Sequence, residues 1–161
     1  MQDWFDHYFL YVFPFFFVAL WLFVTYLIAL AGGWRLLAQR FRLQQPFAGW
    51  KRRMRSARMR GTVQYNNVLT IGADASGLFI VPMFLFRAWH PALFIPWMEV
   101  TVRGSTRILF FRYVELRLGR SENIPLWISA SLASELQAAA GSNWPSGPVR
   151  GPLLSEPPPI A

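Results

Sequence analysis

The chain of 161 residues has no cysteine, which removes disulfides, thiolate metal sites and cysteine nucleophiles together. Acids are scarce: eight Asp and Glu stand against sixteen Lys and Arg, and no acid lies between Arg35 and Arg60. Histidines number two, His7 and His90, and a metal site would need partners from elsewhere in the fold. The phosphate-cradling Gly-rich loop, the Gly-x-Ser-x-Gly elbow, the paired-His zinc motif and the dinucleotide fingerprint are all missing. These absences argue against an enzyme and leave no cofactor and no small-molecule substrate to expect.

Charge is missing altogether from Phe9 to Leu30. As an α-helix this run rises roughly 33 Å, enough for a hydrocarbon core about 30 Å thick. In lipid a single spanning segment satisfies its backbone only as a helix. Pro14 falls in the second turn, where few hydrogen bonds are lost. Trp4, Tyr8 and Tyr11 at one end and Trp34 at the other suit an interfacial belt. Aromatics at Phe15, Phe16, Phe17, Trp21 and Phe23 form either a lipid-facing surface or one that packs on partner helices.

No Lys or Arg precedes Arg35, whereas nine of the sixteen basic residues lie between Arg35 and Arg60. The positive-inside rule then puts the N-terminus outside and the remainder in the cytoplasm. A cleaved signal peptide competes, because Ala29-Leu30-Ala31 is a small-x-small pattern. Its basic n-region is lacking, and the apolar run exceeds the roughly 7–15 residues of a signal core, so an uncleaved anchor is expected.

Trp34 to Leu43 has helical spacing, with Leu36, Leu37, Phe41 and Leu43 on one side and Arg35, Gln39, Arg40 and Arg42 on the other. It reads as a continuation of the anchor or an interfacial amphipathic segment. Lys51, Arg52, Arg53, Arg55, Arg58 and Arg60 follow. They serve as a topology signal and as a patch for anionic headgroups, at about 1 kcal/mol per cation close to the surface. Nucleic-acid binding is disfavoured, because no aromatics interleave with the run and no reading motif accompanies it.

From Gly61 the apolar period becomes that of strands. Val63 to Gly72 makes the first, Ala73 to Gly77 a hairpin turn, and Leu78 to Phe86 the return. Met98, Val100 and Val102 alternate inward, Gly104-Ser105 reads as the next turn, and Ile108 to Leu118 carries one strand or two, with Val114, Leu116 and Leu118 inward. After a short strand at Asn123 to Trp127, Ile128, Leu132, Leu136 and Ala139 or Ala140 mark a helix that stops at Gly141. The tail from Gly141 to Ala161 holds six of the twelve prolines and reads as disordered. The division is 1–8 outside, 9–31 membrane helix, 32–60 basic juxtamembrane segment, 61–140 β domain and 141–161 tail.

Leu78 to Trp97 is too aromatic for a small core and too rich in proline, with a central Arg87, for a second span. A hairpin tip carrying Phe84, Phe86, Trp89 and Phe94 that meets the inner leaflet or another protein fits better.

The stretch Asn67-Val68-Leu69-Thr70-Ile71, its turn into Gly77-Leu78-Phe79-Ile80, and Ile95-Pro96-Trp97-Met98-Glu99-Val100 resemble bacterial membrane-anchored proteins of pleckstrin-homology or GRAM type. The chain is also similar to bacterial membrane proteins in which an anchor ending in Gly-Trp-Arg precedes such a domain. The resemblance covers about half the chain. It implies a small mainly-β barrel of six or seven antiparallel strands with a C-terminal capping helix, at the bacterial inner membrane. Its implied role is non-catalytic: binding anionic lipid or a protein partner. The alternative reading is an accessory subunit of a larger inner-membrane complex, packing through the transmembrane helix.

Overall fold

The computed structural model describes residues 2–108 and 110–146. Helix α1, Gln2–Ala31, contains Pro14 without interruption. Among the described residues, Tyr11–Ala31 is the one helical stretch long and apolar enough to cross a membrane. Gly33 turns the chain from α1 into α2, Trp34–Phe41, through a left-handed backbone at φ +74°. A β-carbon there would lie 2.7 Å from Ile124 Cδ1, so glycine is required for both conformation and space.

Seven antiparallel strands follow: β1 Trp50–Met59, β2 Val63–Ala73, β3 Gly77–Pro82, β4 Leu93–Pro96, β5 Val100–Ile108, β6 Phe111–Leu118 and β7 Ile124–Ser129. Their order is β4-β3-β2-β1-β7-β6-β5, a curled half-barrel with β4 and β5 at its open edges. β1 joins the two halves, pairing with β2 along its length and with β7 through Arg58 and Met59. The segment bearing five of the six clustered cations is therefore part of the sheet, which begins at Trp50 instead of at Gly61.

α2 lies at the open side. Leu43 N–H donates to the Ala92 carbonyl at 2.8 Å, and Arg42 bridges to Leu93 on the β4 edge. Arg40 reaches Glu99, just before β5, and Glu122 at 3.4 and 3.7 Å. Trp34, Leu37 and Phe41 point into the core, three and four residues apart. Leu36, expected among the apolar set, is exposed. The apolar face of α2 thus closes a domain core.

Helix α3, Ala130–Ala140, packs on β2, β6 and β7 through Leu132, Leu136 and Ala140. Ser129 caps it by accepting from Leu132 N–H, and Gly141 ends it. The chain then stays ordered through a short turn, Gly141–Asn143. Asn143 Nδ2 donates to Ala75 O at 2.8 Å, and Trp144 packs on Trp97 with ring centroids 5.3 Å apart. The tail expected to be disordered from residue 141 is thus folded at its start. Residues 147–161 lie outside the described residues.

Three local expectations fail for identifiable reasons. Leu78 to Phe86 is not one strand: β3 ends at Pro82 and Phe84–Phe86 is a single 3-10 turn. Another such turn, Trp97–Glu99, swings Trp97 inward and leaves Met98 exposed, while Val100 is buried and Val102 packs on the core as the alternation predicts. Gly104 and Ser105 lie inside β5 at an irregularity in its pairing with β6, not at a turn.

Candidate functional site: a collar at the base of the apolar helix

The loop Met83 to Ala92 leaves the sheet between β3 and β4 and climbs α1. Trp89 Nε1 donates to the Leu22 carbonyl at 3.0 Å, and Trp21 Nε1 donates to the Leu85 carbonyl at 3.3 Å. Phe86 lies 5.3 Å from the Trp21 ring, and Trp89 sits edge-on to Tyr26 at 5.3 Å. Thr25 and Ala29, one turn apart on the same face, are buried. The apolar loop therefore docks on this chain's own helix. From Ala31 up to Trp21 it covers about 15 Å of α1.

A buried polar knot holds the loop's other end. Trp34 Nε1 donates to Pro91 O at 2.9 Å, and Trp34 rings against Tyr65 and His90 at 5.7 and 5.1 Å. His90 is fully buried, with Nδ1 3.0 Å from Phe86 O and Nε2 3.1 Å from the Tyr65 hydroxyl. A carbonyl can only accept, so Nδ1 carries the proton and Nε2 accepts from Tyr65. Burial pulls the His90 imidazole down to about 4, outweighing the Phe86 hydrogen bond that favours the cation. Burial likewise pushes the Tyr65 phenol up. Both groups are neutral at physiological pH and each holds the other in place.

The residues expected at a hairpin tip divide. Phe84 is exposed, with Met83 and Leu85 beside it, and Trp89 is partly so. Phe86 is half-buried against α1. Phe94 is not at the tip. It sits in β4, paired with Phe79, and both rings lie against Phe47, with Phe47 and Phe79 stacked at 4.4 Å.

On α1, Phe15, Phe16, Phe17 and Phe23 are exposed, while Trp21 meets the loop. Phe13, Phe17 and Trp21 stack at 6.3 and 6.5 Å along one stripe that continues into Phe86.

The six clustered cations differ in their partners. Arg52 pairs with Glu135 at 3.0 Å, and Arg55 lies 4.0 Å from the same carboxylate. Arg58 donates to Gln64, and the Arg60 side chain packs by Gly33. Lys51 and Arg53 are exposed and without an ion pair among the described residues. Sequence reasoning missed the Tyr65–His90 pair, since neither residue carries a local signal of the other 25 positions away.

No protein-family model, no curated protein and no solved structure matches this chain.

Proposed function

We infer that this is a single-pass bacterial inner-membrane protein, N-terminus out, whose cytoplasmic half-barrel is a non-catalytic binding or scaffold module held at the inner leaflet. The observation that carries the reading is the collar. An exposed apolar rim of Met83, Phe84 and Leu85 is fastened beside the lower part of an apolar helix, where lipid would cover both. Seven antiparallel strands followed by one helix support a pleckstrin-homology-like identity.

The collar also sets the level of the span. Tyr26, Trp89 and Arg35 meet at the base of α1, with Arg35 Nη1 donating to the Tyr26 hydroxyl at 3.0 Å. Amphipathic aromatics and a cation of this kind suit the headgroup boundary. The lipid-crossing part then runs from about residue 8 to about residue 26, roughly 28 Å. The last turn of α1 belongs to the domain, since Ala29 is buried and Ile28 packs on the core. Cleavage after Ala31 would remove core residues, which disfavours the signal-peptide alternative.

No reaction belongs to this reading. The strongly shifted groups, Tyr65 and His90, are occupied by structural hydrogen bonds.

The absence of native cysteine makes the topology directly testable. In intact cells, Gln2→Cys should react with a membrane-impermeant maleimide, and Arg112→Cys should react only after permeabilisation. Labelling of Arg112→Cys in intact cells, or recovery of a soluble chain beginning at Gly32, would refute the arrangement.

A second reading, an accessory subunit, draws on Phe110 and Phe111 at the β5–β6 tip, which are 86% and 67% exposed. Its mark would be a stoichiometric companion through purification in mild detergent.

A further inference from the structure

We propose that the cleft between α2 and the collar loop is the seat of an anionic phospholipid headgroup, with Arg35, Arg42 and Arg87 receiving its phosphate. The proposal rests on the membrane reading above and moves the lipid contact away from β1, where the sequence suggested it. The cleft has a volume of about 380 Å³, and its lining includes Arg35, Gln39, Arg42, Arg87 and Trp89.

Charge pairing decides the matter. Each Glu whose side chain is described is engaged by an arginine elsewhere: Glu99 and Glu122 by Arg40, Glu135 by Arg52 and Arg55, and Glu115 by Arg117. Asp74 accepts from the backbone of its own turn. None of the described carboxylates lines the cleft. Three arginines therefore line one space with no counter-charge among the described residues.

Two of the three are pre-aimed by neutral partners. Arg35 donates to the Tyr26 hydroxyl and lies over that ring at 5.3 Å, and Arg87 Nε lies 3.5 Å from Pro82 O. Arg42 has no side-chain partner among the described residues. Like charges gathered this way favour an anion, and arginine's fixed fork of donors suits phosphate oxygens.

Placement selects lipid as the source of that phosphate. Arg35 and Trp89 tie the cleft to Tyr26 on α1, at the proposed headgroup level, and the exposed Met83, Phe84 and Leu85 continue the same loop upward beside α1. A headgroup in the cleft would thus have acyl chains lying against this rim and the exposed flank of α1. By contrast the β1 cations without a carboxylate partner among the described residues, Lys51, Arg53 and Arg58, lie on an open strand surface.

The test uses the full chain in detergent, titrated separately with dioleoyl-phosphatidylglycerol, dioleoyl-phosphatidylcholine and inorganic phosphate, and read by native mass spectrometry. Phosphatidylglycerol should bind at least about tenfold more tightly than phosphatidylcholine, and the double variant Arg42→Gln/Arg87→Gln should lose roughly tenfold or more of that affinity. Gln39→Glu, on an exposed helix position, should weaken binding in the same direction and guards against a folding artefact in the double variant. Lys51→Gln/Arg53→Gln should leave the affinity within about twofold.

If the strand variant loses phosphatidylglycerol and the cleft variants keep it, the assignment to the cleft is wrong while the membrane role stands. If the wild-type chain shows no preference for phosphatidylglycerol, the cleft assignment and the anionic-lipid reading fail together. Displacement of the lipid by millimolar inorganic phosphate would make the cleft a site for free phosphate and overturn the proposal.

Discussion

Trp34→Ala should be the most damaging single substitution in the domain, costing about 3–5 kcal/mol for the lost buried ring. Trp34 is fully buried, and it is the piece that joins α2, β2 and the collar loop through Pro91, Tyr65 and His90. Its removal leaves a cavity and also orphans the Pro91 carbonyl. In detergent this should lower Tm by roughly 10 °C or more for a chain of this size. Trp34→Phe is the milder change, because it keeps an aromatic ring and loses the N–H donor with part of the indole's bulk. It should cost about 1–2 kcal/mol. Equal Tm for Trp34→Ala and wild type would mean that the knot does not hold the domain together.

Acidification should destabilise the fold through His90, in a window above that of ordinary carboxylates. The folded imidazole titrates at about 4 against 6.5 for a free side chain. The unfolded chain therefore binds the proton first as pH falls. Stability is fully present above about pH 6.5 and is lost progressively toward pH 4, by up to about 3 kcal/mol at 1.36 kcal/mol per pKa unit. Protonation at Nε2 would also set a donor against the Tyr65 hydroxyl, which now donates to it. His90→Gln removes the titrating group, so its Tm, though lower at pH 7.5, should fall less steeply between pH 6.5 and 5. Parallel pH profiles for the two chains would exclude His90 as the source.

Several of these elements are legible in the sequence because one strong local signal suffices. The uncharged run announces α1 by its length. Asp74 opens a turn in which its Oδ1 accepts from Ser76 and Gly77 N–H at 2.7 and 3.0 Å, as the Asp–Gly spacing suggests. Ser129 and Gly141 bracket α3.

What stayed hidden depends on tertiary partners. β1 buries only Ala57 and Met59, so its strand character disappears under five cations that read equally well as a topology signal. α2 was visible as a helix, but nothing local said that its apolar face would meet strands and not lipid. The collar was the least legible. The aromatic excess of Leu78 to Trp97 was plain, and its partner, a helix 64 to 67 residues earlier, was not. Arg87 read as a defect in a possible span, and it becomes meaningful only when the loop brings it beside Arg35 and Arg42.

Everything functional here depends on the collar lying in the leaflet beside α1. A nitroxide on Phe84→Cys in the full chain, reconstituted into phosphatidylglycerol-containing bilayers, reports that depth by power-saturation EPR, with Arg112→Cys as the aqueous reference. The collar predicts that the Phe84 label is relaxed by molecular oxygen and shielded from a water-soluble nickel complex, with the reverse at Arg112. Equal exposure of both labels to the nickel complex would contradict it.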